Sequence, residues 1–232
     1  MKFILLILGL VGGSILFIGC SDNVIPDQET RLGFQFFPLE QGLFRIYDVQ
    51  RVDFTLVGRD TSHFQLKEVV VDSFLNVEND FTYIINREVR EDSTFAWELD
   101  SVWTARRTEI FAVSVENNVS FIKLVFPVKD SVEWDANSLS ARESSLFRFK
   151  DAFQSYTLGE NIFDNSVTVV LSESQDNLIV RDERTEVYAE GVGLVYRDYT
   201  TLNFCAREDC LGQGIIESGQ VLRLNIVEYG KE

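Results

Sequence analysis

Histidine and methionine occur once each in these 232 residues, and proline and cysteine three times each. A lone histidine, His63, cannot supply a histidine-rich metal set, and two thiols beside it do not close a zinc site. No Ser–His–acid arrangement is supported beyond that one imidazole. His63 opens a strand-like segment, where a surface or hydrogen-bonded role is the ordinary one. Basic residues are also short, 21 Lys and Arg against 37 Asp and Glu, for a formal charge of −16. An acidic surface repels phosphate backbones and anionic head groups, which excludes nucleic acid as a partner. No glycine loop follows a strand and opens a helix, since Gly191-Val192-Gly193 lies within a strand pattern. Calcium-loop spacing is missing as well, because Asp176-Asn177 has no following series of oxygen ligands. Neither a metal nor a cofactor is expected.

Long apolar runs are scarce too. One extends from Phe3 to Ile18, broken by Gly9, Gly12, Gly13 and Ser14. It falls short of the roughly 20 apolar residues that a spanning helix needs, and its glycines weaken it further. With Lys2 before it and the small Gly19 after it, the run reads as a secretory signal peptide over residues 1–19.

Leu16-Phe17-Ile18-Gly19-Cys20-Ser21 resembles the lipobox of bacterial lipoproteins, with Phe17 where leucine is usual. The resemblance implies that Cys20 receives a diacylglycerol and becomes the mature N-terminus. Each buried methylene contributes about 0.8 kcal/mol, so several acyl chains on one residue hold a protein at a bilayer. An ordinary signal peptide with a chance cysteine, or an uncleaved anchor, is the competing reading. Ser21 after the cysteine resembles outer-membrane sorting, and Cys20-Ser21-Asp22 resembles the acidic export tags of Bacteroidota-type lipoproteins. The expected address is the outer membrane, lipid-anchored, periplasmic or surface-exposed.

The other two cysteines, Cys205 and Cys210, are five residues apart. Outside the cytoplasm such a pair is expected to form a disulfide. Glu208 and Asp209 between them disfavour a redox role, because acidic neighbours raise thiol pKa values.

Residues 20–31 are polar and acidic and read as a tether. Residues 32–232 read as a single domain, long enough to bury a core. The pattern opens with a strand at Gly33–Leu39, a turn at Glu40-Gln41-Gly42, and a strand from Leu43. Period-two alternation then recurs at His63–Leu75, Phe81–Arg90 and Trp97–Arg107. Phe111, Val113 and Val115 alternate with polar or small neighbours up to Asn117-Asn118, which tolerate positive φ. Ile122, Leu124, Phe126 and Val128 then resume the pattern, so a hairpin is expected there. Trp134 to Glu160 loses the alternation and reads as a long loop with a short helix near Lys150–Ser155. Strands return at Val167–Leu171, turn through Ser174–Asn177, and continue at Leu178–Tyr188. Tyr188–Tyr196 reads as a further strand with Ala189, Gly191 and Gly193 on one side, implying curvature or close approach of another layer. Leu222, Leu224 and Ile226 close the domain. About ten strands with little helix predict a mainly β fold. The expected form is an antiparallel meander making a strongly curved sheet or open barrel, with a short helix in the 135–160 region.

Several phrases resemble a family of uncharacterised Bacteroidota-type outer-membrane lipoproteins. They include Phe37-Pro38-Leu39, Leu66–Ser73, Leu99–Arg107, Lys123–Val128, Tyr188–Tyr196 and Tyr229–Glu232. The resemblance implies address and architecture and carries over no functional residue. Asp92-Ser93-Thr94, Asp100-Ser101-Val102 and Asp130-Ser131-Val132 resemble the O-glycosylation acceptor of such bacteria.

Carboxylate pairs such as Glu88 with Glu91 or Asp182 with Glu183 carry little information among 37 acidic residues. A glycan-acting hydrolase needs only two carboxylates, but no pair can be nominated. Of the 19 Phe, 7 Tyr and 3 Trp, most must build the core. Trp97, Trp103 and Trp134 are the candidates for a ligand-facing role toward sugar or lipid, with core or rim packing as the alternative. The expected function is a non-catalytic, lipid-anchored binding or structural module of the cell envelope. Its partner would be an envelope protein, a glycan or a hydrophobic ligand. The alternative is a carrier holding a hydrophobic molecule within a curved sheet.

Overall fold

Alternation along the chain is realised as twelve strands in the computed structural model, which describes residues 28–173 and 177–232. The leader, Cys20, most of the tether and residues 174–176 of the turn read at Ser174–Asn177 lie outside the described residues. After a short helix α1 (Gln28–Leu32) and a 3-10 turn (Phe34–Phe36) come β1 (Leu43–Thr55), β2 (Gly58–Leu75), β3 (Phe81–Arg90) and β4 (Glu98–Arg107). They are followed by β5 (Phe111–Glu116), β6 (Val119–Val125), β7 (Glu133–Asp135) and β8 (Leu146–Leu158). The last four are β9 (Asn161–Ser172), β10 (Val180–Ala189), β11 (Gly193–Phe204) and β12 (Ile216–Lys231).

All pair in one antiparallel sheet of order β6-β5-β4-β3-β2-β1-β12-β11-β10-β9-β8-β7. First and last strands meet in the middle, so two meanders of six strands spread away from the β1–β12 pair. The two outermost strands, β6 and β7, are consecutive in the chain. They curl back toward each other: Ile122 N donates to the Ala136 carbonyl at 2.9 Å, and the Trp134 indole donates to the Ile122 carbonyl at 2.9 Å. The result is a nearly closed barrel whose two edge strands meet through these bonds rather than through a ladder.

Local chemistry sets the turns. Asn117 and Asn118 adopt φ of 50° and 63° between β5 and β6, the left-handed pair that a tight hairpin turn requires. The same hairpin places Glu116 opposite Val119. Inside, Tyr47, Phe36 and Phe149 are almost wholly buried, beside Val167 and Val169 on β9 and Val187 on β10. Each such side chain contributes about 1.5–3 kcal/mol of burial.

Three expectations need correcting. Gly33–Leu39 is not a strand. Gly33 takes φ of 87°, and the chain tightens into the 3-10 turn that buries Phe34 and Phe36. Its carbonyls bond across one end of the barrel: Arg107 Nη1 donates to Phe34 O at 2.9 Å and Gly191 N donates to Gln35 O at 2.9 Å. The segment is a plug wedged against several turns, which alternation cannot register. The helix expected within 135–160 is also absent, and that stretch holds β7, a turn region and β8. Alternation fails there because Asp151 and Phe153 adopt φ of 54° and 59°. They form a bulge that shifts the β8–β9 register between Lys150 and Gln154. Ala152 N donates to Asp130 Oδ1 at 2.8 Å, and the Phe153 ring lies 5.3 Å from that of Phe36, so the bulge is tied down on both sides. Finally, Tyr188–Tyr196 is two strands. Glu190-Gly191-Val192 is the turn between β10 and β11, and Gly191 supplies its φ of 70°.

Candidate functional site

Charged side chains on inward strand positions converge inside the barrel. Glu186 on β10 has no solvent exposure. Its Oε1 accepts from Lys123 Nζ on β6 at 3.0 Å, from Arg197 Nε on β11 at 2.9 Å, and from the Tyr199 hydroxyl. Its Oε2 accepts from the Tyr188 hydroxyl at 2.6 Å. Lys123 also lies 3.4 Å from Glu116 at the end of β5. β6 and β10 are far apart in the sheet order, so the Lys123–Glu186 pair spans the interior.

A second group sits beside the first. Glu68 on β2 accepts from Arg87 Nε on β3 at 3.2 Å and lies 3.9 Å from Arg45 Nη2 on β1. The Arg87 guanidinium stacks 3.7 Å above the Trp103 ring on β4, a cation–π contact removed from most solvent. Arg45 Nη1 donates to the Val192 carbonyl at 3.3 Å, and the Tyr47 hydroxyl donates to that of Leu194 at 3.0 Å. Gly193, at φ of 89°, lies against the Arg45 guanidinium, and a methyl group there would collide with Nη1.

Burial alone would push the Glu186 carboxyl up. Lys123 and Arg197 beside it, then the two tyrosine hydroxyls, outweigh that and hold it well below the usual carboxylate range. Glu68 follows the same logic: burial raises its pKa, but Arg87, Arg45 and Arg197 bring it below the ordinary value. Burial and the Glu186 charge push Tyr188 and Tyr199 well above the usual phenol range. For Arg197, burial works against the charge, but Tyr199 and Glu186 outweigh it and its pKa is raised. The carboxylates of this network are therefore ionised and the phenols neutral at neutral pH. That arrangement fixes charge in place rather than exchanging protons there.

Between the two groups lies a cavity of about 50 Å³ lined by Arg45, Glu68, Trp103, Glu116, Lys123 and Arg197, with Phe37, Pro38 and Leu39 of the plug against it. Drug-sized ligands occupy roughly 300–1,000 Å³, so this space takes only a few atoms and no acyl chain. Two of the lining residues carry a buried donor, Arg45 Nε and Trp103 Nε1, with no hydrogen-bond partner among the described residues.

The sequence candidates are dispersed. Trp103 alone among the three tryptophans lines the inner cavity. Trp134 is buried in the core against Phe147 and Phe149, its indole already bonded. Trp97 is half-buried before β4 with the Arg90 guanidinium 4.0 Å above it. Cys205 and Cys210 are both buried and are joined in the loop after β11, Cα atoms 5.8 Å apart. His63 lines an open hollow on the outer face with Asp48, Gln50, Gln65 and Glu91. Cys20 lies outside the described residues.

Sequence reasoning missed Glu186, Lys123, Arg197, Glu68, Arg45 and Arg87. One signal was present: Lys123 stands inside Ile122-Lys123-Leu124, and all three residues are buried. A charged residue within an apolar strand run marks an internal partner, but nothing in the sequence says which carboxylate answers it.

No family model matches this sequence, and no curated protein does. Among solved structures, the chain is similar to a proposed exported protein with a YmcC-like fold from Bacteroides fragilis. That likeness covers 83% of this chain and 99% of the other at 11% identity, with a TM-score of 0.40. It is also similar to a proposed lipoprotein from Parabacteroides distasonis, over 84% of this chain and 98% of the other, at 12% identity and a TM-score of 0.36. At TM-scores this low, neither likeness carries an argument about what this chain does.

Proposed function

We propose that this chain is a lipid-anchored lipoprotein of the cell envelope whose β domain is a non-catalytic binding or structural module. The observation that carries the reading is the lipobox-like Leu16-Phe17-Ile18-Gly19-Cys20 at the end of the apolar leader. Export and acylation at Cys20 follow from it, and Ser21 favours the outer membrane. A non-catalytic role is supported by the interior, where charges are locked in mutual pairs around a cavity of about 50 Å³. A molecule filled in this way meets a macromolecular partner with its outer face and turns.

The test is metabolic labelling of cells with an alkyne fatty acid, followed by intact-mass analysis of the purified chain. Wild-type protein is expected to carry the label, to begin at Cys20, and to stay with membranes through high salt and alkaline carbonate. Cys20→Ser is expected to lose the label and leave the membrane fraction. An unlabelled wild type with a free thiol, or a wild type released by salt alone, overturns the anchor. Cross-linking in intact envelopes then asks for a partner. Hydrolysis of envelope glycans by the purified chain, abolished by a single carboxylate substitution, would overturn the non-catalytic role.

A further inference from the structure

β4 is longer than the hairpin beside it. The Asn117-Asn118 turn ends β5 at Glu116, so β5 meets β4 only from Thr104 to Arg107. On its other side β4 pairs with β3 from Glu98 to Arg106. Glu98–Trp103 therefore overhangs the hairpin with a partner strand on one side alone. Among the described residues, no turn or loop supplies a backbone bond to this overhang. Asp100 is bulged, without a counterpart on β3, and its carboxylate lies 3.7 Å from Arg87. Leu99 and Val102, opposite Glu88 and Asn86 of β3, are 61% and 54% exposed. Open main-chain groups flanked by exposed apolar side chains are a template for one more strand.

The overhang is also acidic. The segment Glu88–Val102 holds Glu88, Glu91, Asp92, Glu98 and Asp100 against one base, Arg90. Arg90 is already engaged, donating to Gln65 Oε1 at 2.8 Å with its guanidinium 4.0 Å from the Trp97 ring. Glu88, Glu91 and Glu98 have no ion-pair partner among the described residues. A second copy pairing through the same edge would bring two sets of these acids together with no base to separate them, which destabilises. The chain's own residues 20–27 carry Asp22 and Asp27 and no base. We propose that Glu98–Trp103 is a docking edge for an extended segment of a partner protein, one that alternates apolar and basic side chains and joins the sheet as a strand. Main-chain bonds to β4 supply affinity, Leu99 and Val102 meet the apolar side chains, and the surrounding carboxylates attract the bases. The site rests on the reading of this domain as a binding module.

The experiment uses the full mature chain in a neutral detergent and three labelled decapeptides with blocked ends: alternating lysine and valine, lysine and glycine, or glutamate and valine. Fluorescence anisotropy is expected to show the lysine–valine peptide binding about tenfold more tightly than the lysine–glycine peptide, as two or three cross-strand pairs provide. The glutamate–valine peptide is expected not to bind. At a hundredfold excess of the first peptide over its Kd, the solvent-facing amides of residues 98–103 are expected to exchange about a hundredfold more slowly. The double variant Glu98→Lys, Val102→Lys, altered at two exposed positions, is expected to keep its Tm and lose about tenfold in affinity. Should that variant fail to fold, the exchange footprint on the wild type decides. Equal binding of the two lysine peptides, protection lying outside residues 98–103, or no binding overturns the edge. Protection of the same amides without peptide, in a dimer seen by sedimentation, overturns the choice of partner and makes the occupant a second copy. An envelope cross-link that maps elsewhere overturns this site and leaves the binding module standing. A free thiol at Cys20 overturns the anchor and leaves the peptide result untouched.

Discussion

Glu186 illustrates how much one residue can be asked to hold. Four side chains from three strands donate to its two oxygens; Glu186, Lys123, Tyr188 and Arg197 are buried and Tyr199 is partly buried. Taking ions out of water costs several kcal/mol each, and their attraction offsets that only while every partner is present. The asymmetry gives a clear expectation. Glu186→Gln keeps the volume but leaves Lys123 and Arg197 sharing a neutral amide, and truncating one partner of a buried pair costs about 3–5 kcal/mol. A urea titration is expected to show a midpoint lowered accordingly with an unchanged slope. Adding Lys123→Met to the same chain is expected to recover part of the loss, because the orphaned charge is then gone. Equal midpoints for wild type and Glu186→Gln would mean that the network contributes nothing net.

Among the elements, the loop closed by Cys205 and Cys210 buries both cysteines outside the two hydrophobic core clusters. It leaves β11 after Phe204 and returns at β12, with Cys205 N bonded to the Ile215 carbonyl at 2.8 Å. Loop closure over so few residues contributes about 2 kcal/mol by restricting the unfolded chain. Reduction with dithiothreitol is therefore expected to lower stability by about that amount and to speed hydrogen exchange in residues 205–215 while leaving the β1–β12 pair protected. Loss of protection across the whole sheet would show instead that the loop is part of the global core. The sequence made this loop legible, along with β3, whose bounds it gave to the residue, and the Asn117-Asn118 hairpin. Each of these rests on a rule acting within a few residues: compartment and cysteine spacing, period-two alternation, positive-φ tolerance. What stayed hidden depends on distant partners. The β8 bulge exists because Asp130 and Phe36 hold Ala152 and Phe153 in place, and the plug exists because Arg107 and Gly191 bond its carbonyls. Glu186 was invisible for a different reason. In a chain with 37 acidic residues, alternation shows which side a carboxylate faces only once the register and closure of the sheet are known.

At the scale of the molecule, two electrostatic contributions oppose each other as pH falls. The surface carries many more carboxylates than bases, and protonating some of them relieves self-repulsion. Inside, Glu68 and Glu186 have folded pKa values depressed below their ordinary ones. A depressed carboxyl contributes stability that is present in full above its unfolded pKa, about 4.3 for glutamate. That contribution declines as pH drops below this value and is gone below the folded pKa, because the unfolded chain then takes up protons that the folded one resists. The two contributions separate by range and by salt. Between pH 7 and pH 5 only the surface responds, so stability is expected to hold steady or rise slightly, and 1 M salt, with a Debye length of about 3 Å, is expected to erase that rise. Below about pH 4.5 the interior dominates and stability is expected to fall steeply whether or not salt is present, since buried pairs are poorly screened. Urea midpoints collected from pH 7 to pH 3 at low and high salt check both halves. In Glu186→Gln the acid limb is expected to be shallower, leaving the share of Glu68 and the smaller shares of Asp53, Asp92 and Asp135, whose hydrogen bonds also hold them below their ordinary values. An acid limb of equal slope in wild type and variant would place the pH dependence on the surface and remove Glu186 from the account of how this barrel is held together.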